Sequence, residues 1–495
     1  MKYRSTRGGE RGLSASQAVL KGLAGDGGLF MPEEIPAFDF KPEDLKGASY
    51  QEIAYRVMRL LLDDYTEEEL RDSIEKAYAT FDCEEVVPMT EADGAYYLEL
   101  YHGNTIAFKD VALSILPYLL TIAAKKNGEQ DKIVILTATS GDTGKAAMAG
   151  FADVPGTGIV VFFPKGGVSR IQELQMRTQE GDNTCAVAIH GNFDDAQTGV
   201  KKAFGDPAFL KTLKEQGVVL SSANSINIGR LVPQITYYVA AYVRLLENGR
   251  IGAGDLMDVC VPTGNFGNIL AAFLAKKMGL PIRHLICASN DNRVLTDFFR
   301  SGTYDKNREF MLTTSPSMDI LISSNLERLI WLACGCDDEK NAALMKQLSS
   351  EGRYSITETM KEYMTDFIGG CATEAEVAAQ IKDLYDKTGY VIDTHTAVGA
   401  AVCRKVLPAG EGDQVPVVIA STASPYKFAA DVVSAMTGQP RSEDEWQAVE
   451  QLHALSGVPV PAAVEKLRTA PIRHNMECAV DGIEQAVLEA VSAFA

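Results

Sequence analysis

From about residue 95 onward, short apolar runs alternate with stretches of helical periodicity, and no other feature restricts the fold as strongly. The runs are KIVILTA, GIVVFFP, TCAVAIHG, GVVLSS, LMDVCVPTG, RHLICAS and PVVIAST. Each is apolar on both faces, as a strand must be when helices cover both sides of a parallel sheet. The expected class is therefore α/β. Such sheets bind ligands beyond the carboxyl ends of their strands, so the polar turns that follow these runs are the places to look for function.

The chain has 495 residues, more than one hydrophobic core usually holds, and two or three domains are expected. Residues 1–92 mix glycine-rich turns with helical patterns, such as Ile53, Val57, Leu60 and Leu61 at helical spacing, and read as a small N-terminal domain. The α/β texture occupies 93–300 and returns over 386–434. Between them, 301–385 is more polar and reads as a mostly helical insertion; 435–495 reads as a helical C-terminal tail.

Charge and composition exclude several classes. Lys and Arg number 47 against 66 Asp and Glu, a net charge of −19, and no basic cluster tracks a phosphate backbone, so nucleic acid is not an expected partner. An anionic small molecule would need a locally positive pocket to overcome that field. The nine cysteines lie mostly in apolar runs, as Cys260 and Cys287 do, and suit a reducing cytosol. Cys334 and Cys336 lack a second ligand pair nearby, so no metal is expected. The N terminus has no signal-peptide apolar region, and no run reaches the roughly 20 apolar residues of a membrane span. The expectation is a cytoplasmic protein, monomer or homodimer, acting on a small molecule without membrane attachment.

Three polar turns follow expected strands. In TATSGDTGKAAMAG, Ser140, Thr143 and the backbone amides opening a helix make an anion site, because orphan N–H groups and the helix dipole both favour negative charge. It is not a phosphate-binding P-loop: Thr139 stands where the first glycine belongs and Ala146 where a hydroxyl should follow Lys145. Plain helix capping is the competing reading. In VPTGNFGNILAAF, Gly264, Asn265, Phe266, Gly267 and Asn268 permit the close backbone approach of a phosphate nest, although their spacing is not that of dinucleotide folds. In SSANSINIGRLVPQ, Asn224, Ser225 and Arg230 offer fork-like recognition of phosphate or carboxylate.

Lys109 is the odd residue. In HGNTIAFKDVAL it stands among residues that bury its surroundings, and a desolvated lysine loses part of its preference for charge and can act as a nucleophile or Schiff-base former. A snorkelling helix lysine is the alternative. Beside two phosphate-type loops, the lysine points to one anion site for a cofactor and another for a substrate.

These blocks, in this order, resemble the threonine synthase family, pyridoxal-phosphate enzymes of the tryptophan-synthase β-like fold. The resemblance rests on YRSTRG, KGLAGDGGLFMP, HGNTIAFKD, TSGDTG, Asn224 to Arg230, PTGNFGN, SPSMDI, DTHTAVG and STASPYKF, and spans residues 1 to about 430. It implies two open parallel-type lobes around pyridoxal 5'-phosphate, with Lys109 carrying the Schiff base and moving protons. Gly264 to Asn268 would hold the cofactor phosphate, and Thr422, or else Ser421, would face the pyridine nitrogen. Ser140, Thr143, Asn224, Ser225 and Arg230 would bind the substrate's phosphate and carboxylate. Phe108 and Asp110 would pack and position the lysine, while His395 reads equally as a core or capping residue. The sequence departs from the family pattern at Asn104, Thr394 and, within Ala423-Ser424-Pro425, at Ser424, all turn positions. The implied reaction converts O-phospho-L-homoserine and water to L-threonine and phosphate. The alternatives are a phospho-lyase acting on another O-phospho-amino acid, and a catalytically silent ligand-binding protein on the same fold.

Overall fold

The seven apolar runs all become strands. In the computed structural model, which describes residues 1–139, 141–407 and 415–494, two large sheets are built from eleven strands. They are β1 (Met89–Ala92), β2 (Ala95–Glu99), β3 (Lys132–Ala138), β4 (Thr157–Pro164), β5 (Thr184–His190), β6 (Val218–Ser221), β7 (Met257–Pro262), β8 (Ile282–Ser289), β9 (Phe367–Cys371), β10 (Val417–Ser421) and β11 (Met476–Ala479). One sheet runs β9-β8-β7-β10-β2-β1 and the other β11-β5-β4-β3-β6. Every pairing is parallel except the β1–β2 hairpin. β4 is buried at each of its eight positions, which is why its sequence is apolar throughout rather than alternating.

Six helices matter to the site: α1 (Lys109–Leu113), α2 (Asp142–Phe151), α3 (Ile228–Glu247), α4 (Gly267–Met278), α5 (Leu326–Ala333) and α6 (Thr394–Val406). Helix α3 is buried along almost its whole length and packs between the central region and the helix Tyr50–Met58 of the N-terminal part. That part caps its helices with Ser49 and Thr66, whose side chains accept N–H groups of the first turns. It also reaches the lysine: Tyr78 donates from its hydroxyl to the Val111 carbonyl in α1 at 3.1 Å.

The segment 301–385 differs from the mostly helical insertion expected. Its helices Asp338–Glu351 and Glu374–Thr388 are there, but it also supplies β9, an edge strand of the six-stranded sheet, and the fully buried α5. Arg328 of α5 is buried, and its guanidinium donates to the Phe30 and Ile226 carbonyls at 2.6–3.1 Å, tying the segment to the N-terminal part. The tail differs likewise. Residues 476–479 add β11 to the edge of the five-stranded sheet, and helix Ile483–Ala493 covers one of its faces. No helix among the described residues is long and apolar enough to cross a membrane.

Candidate active site

Lys109 opens α1 directly after a turn that its own neighbours fix. The carboxylate of Asp110 accepts the backbone N–H of Thr105 at 2.8 Å and its hydroxyl at 2.5 Å. Gly103 is required there, since a Cβ would lie 2.4 Å from the Asp110 Cβ. The turn then pairs with the segment following β10: Phe108 N–H donates to the Thr422 carbonyl at 2.8 Å, and Ser424 N–H to the Ile106 carbonyl at 3.1 Å. Lys109 and Thr422 thereby come to line one cavity. Ser421, the alternative, is turned away, with its hydroxyl 3.1 Å from that of Thr396.

The glycine-bearing turn after β7 supplies another wall. Gly264, Asn265, Phe266, Gly267 and Asn268 all line the cavity, where α4 begins and presents its unpartnered first-turn amides. Phe266 is left-handed, with φ of 65°, a strained choice that its packing against Phe299 and Phe367 sustains. The 301–385 segment clamps this turn. Ser323 donates to the Gly264 carbonyl at 2.7 Å, Asn325 donates twice to the Asn265 carbonyl at 3.0 Å, and a Cβ on Gly264 would lie 2.5 Å from the Ser317 carbonyl oxygen.

Asn224, Ser225 and Arg230 reach the same cavity from the turn after β6 and the start of α3. Arg230 is 3% exposed, donates to the Ala223 carbonyl at 2.8 Å, and leaves its Nε without a partner among the described residues. After β3, Thr139 takes the capping part: its hydroxyl accepts the N–H groups of Gly141 and Gly144 at 3.0 Å, and Thr143 faces the cavity. Ser140 lies outside the described residues. Phe108 and His395 also line the cavity; His395 accepts the Ser317 N–H at Nε2 and holds Asp393 through Nδ1.

Two residues to which sequence reasoning gave no role sit at the centre. One carboxylate oxygen of Asp142 pairs with Lys427, lies 3.5 Å from Lys109 and accepts the Ser317 hydroxyl at 2.6 Å. The other accepts Gln172 at 2.9 Å and lies 3.7 Å from the fully buried Lys145. Burial opposes ionisation of Asp142, but the three lysines, Lys427 foremost, reverse this and hold it well below the usual carboxylate range. Burial draws Lys109 down to about 8; Asp142 opposes the shift, while Lys427 and Arg230 add to it. Burial likewise draws Lys145 down to about 7 and Arg230 down to about 10. The cavity is a positive pocket in an acidic protein.

Comparison with known proteins places the chain. Family models match in order: threonine synthase N terminus over residues 2–78, pyridoxal-phosphate-dependent enzyme over 85–422, and threonine synthase C-terminal over 396–473. The threonine synthase of Schizosaccharomyces pombe is 37% identical over 459 residues, covering 86% of this chain and 88% of that one. The chain belongs to the threonine synthase family. The crystal structure of pyridoxal-phosphate-bound threonine synthase from Brucella melitensis superposes with a TM-score of 0.87 at 36% identity, covering 99% of both chains. Threonine synthase-like 1 of Pongo abelii is 39% identical over 96% of this chain, which spans only 65% of that protein's length.

The threonine synthase family uses pyridoxal phosphate, and the cavity fits it. Nδ2 of Asn268 is buried without a hydrogen-bond partner among the described residues, while Tyr238 donates to the side chain's carbonyl oxygen. A buried donor beside a helix N terminus is what a phosphate oxygen would satisfy. Lys109, an amine of lowered pKa, lines the same cavity and would be available to the cofactor's aldehyde.

Proposed function

We propose that the protein converts O-phospho-L-homoserine and water to L-threonine and phosphate. The observation that carries this reading is the presence, in one cavity, of Lys109 and two separate anion sets: the amides of the Gly264–Asn268 turn, and Asn224, Ser225 and Arg230. One set suffices for a cofactor phosphate; the second suits a substrate that brings its own. Pyridoxal phosphate would be held by residues 264–268, by Lys109 and, at its ring nitrogen, by Thr422, and it supplies an electron sink that acidifies Cα and then Cβ of the bound amino acid.

The chain's residues do the rest. Lys109 Nζ, near neutrality in its pKa of about 8, takes the substrate's Cα proton and returns protons later, general acid–base work worth about 10²–10⁴-fold. Arg230, Asn224 and Ser225, with Ser140 and Thr143, hold the substrate's phosphate and carboxylate, so that the Cγ–O bond breaks toward buried cations. Water then adds at Cβ, giving one threonine and one phosphate for each ester consumed. Closure of the two sheets over the substrate excludes all water but the reacting molecule.

The resemblance to threonine synthase-like 1 allows a related protein, and the second reading is a phospho-lyase for another O-phospho-amino acid. Steady-state assays of the cofactor-loaded chain with O-phospho-L-homoserine and O-phospho-L-serine decide between them. Threonine from the first at a kcat/KM at least a hundredfold above phosphate release from the second supports the proposal; the reverse ranking replaces it.

A further inference from the structure

Among the described residues the cavity wall carries three lysine or arginine side chains, and Lys427 is the one with no part in the reaction as proposed. It comes from the turn Pro425–Phe428 that follows β10 in the six-stranded sheet, whereas its partner Asp142 opens α2 against the five-stranded sheet. The Lys427 side chain is 2% exposed, and its ammonium lies against the Asp142 carboxylate and 4.9 Å from the centre of the Phe428 ring. An ammonium has three donors, and a single carboxylate oxygen does not use them all. Asp142 is also shared, since Lys109 and Lys145 lie within 4 Å of it, so the cluster holds more positive than negative charge. Lys427 and Arg230 both depress the Lys109 pKa, which places the two cations on the same reacting centre.

A phosphate monoester carries about −1.5 to −2 charges at pH 7, and one guanidinium offsets only about one of them. Lys109 is taken by the cofactor. We propose that Lys427 is a specificity-determining residue, its ammonium shared between Asp142 and the substrate's phosphate dianion as the second cation beside Arg230. This rests on the reading that the substrate is a phosphate ester. The rival account is that the Lys427–Asp142 pair merely ties the two sheets together, and the two accounts differ in what happens when Asp142 is removed.

The test is an equilibrium titration of the cofactor-loaded full chain with inorganic phosphate, followed by cofactor absorbance, alongside KM for O-phospho-L-homoserine. Lys427→Met is expected to weaken phosphate about 10- to 150-fold, the range for losing a hydrogen bond to a charged group, and to raise KM by a similar factor. Cofactor absorbance should not change, and Lys427→Arg should restore most of the affinity. Asp142→Asn should tighten phosphate binding by freeing the ammonium, and should lose that effect in the double variant with Lys427→Met. Phosphate affinity in Lys427→Met within twofold of the parent, or an Asp142→Asn that loosens phosphate as a broken tie would, overturns the proposal. If Lys427→Met does not fold, Lys427→Arg and Asp142→Asn still decide. A parent that binds phosphate and turns over the ester beside an unaffected Lys427→Met sinks this inference alone; a parent that does neither sinks the underlying reading with it.

Discussion

Lys109 owes its lowered pKa to where it stands. Its side chain is 15% exposed, and burial with two neighbouring cations outweighs the single carboxylate that would keep it charged. The sign follows: the folded protein holds this proton less tightly than an unfolded chain does, so the neutral, nucleophilic amine gains population as pH rises through about 8, not through the usual lysine value. Capture of added pyridoxal phosphate by the cofactor-free protein should therefore speed up about tenfold per pH unit below that point and level off above it, as stopped-flow absorbance would show; a rate still rising steeply at pH 9.5 contradicts the account. Lys109 was legible in the sequence because a lysine amid apolar neighbours is unusual. Lys427 and Asp142 were not, since the pair joins residues 285 positions apart and each reads alone as an ordinary polar residue of a turn. Only the fold shows that they meet.

At the scale of elements, the parallel strands could be read because burial on both faces makes each a continuous apolar run, and the turns after them because glycines and hydroxyls cluster there. What escaped was short or diluted. FIGGC in β9 holds two glycines, and MECA in β11 has only four residues, partly exposed, so neither has the apolar length that marks a central strand. Residues 301–385 are nonetheless no appendage, because Ser317, Ser323 and Asn325 clamp the Gly264–Asn268 turn. This clamp leads to a second expectation. Gly264→Ala drives a methyl to 2.5 Å from the Ser317 carbonyl oxygen, and overpacking of about 1–3 kcal/mol felt at the turn weakens pyridoxal phosphate about 5- to 150-fold in an absorbance titration. Unchanged cofactor affinity would mean that the clamp does not shape the site.

The whole molecule combines a net charge of −19 with a cavity whose charged side chains are mainly cationic, Lys109, Arg230 and Lys427 against Asp142, so any attraction of an anion is local while the acidic surroundings keep the protein dispersed. The two sheets have to stay intact for that cavity to exist, and the last residues contribute to one of them. Helix Ile483–Ala493 buries Ile483, Ala486, Val487, Ala490 and Val491 against the five-stranded sheet, and Gly158 in β4 leaves room for the Phe494 ring. At about 1.5–3 kcal/mol for each large aliphatic side chain, deleting residues 476–495 should remove a large share of a stability of about 5–15 kcal/mol. We expect Tm to fall by about 10 °C or more, or the protein to become insoluble; a truncated chain melting within about 2 °C of the parent contradicts that. The central claim, elimination at Cγ followed by addition of water at Cβ, is tested most directly by turnover of O-phospho-L-homoserine in ¹⁸O-labelled water with mass spectrometry of both products. The account predicts threonine carrying one ¹⁸O in its side-chain hydroxyl and phosphate carrying none, because the ester oxygen leaves with phosphorus. Unlabelled homoserine with one ¹⁸O in the phosphate would show simple hydrolysis at phosphorus and contradict it.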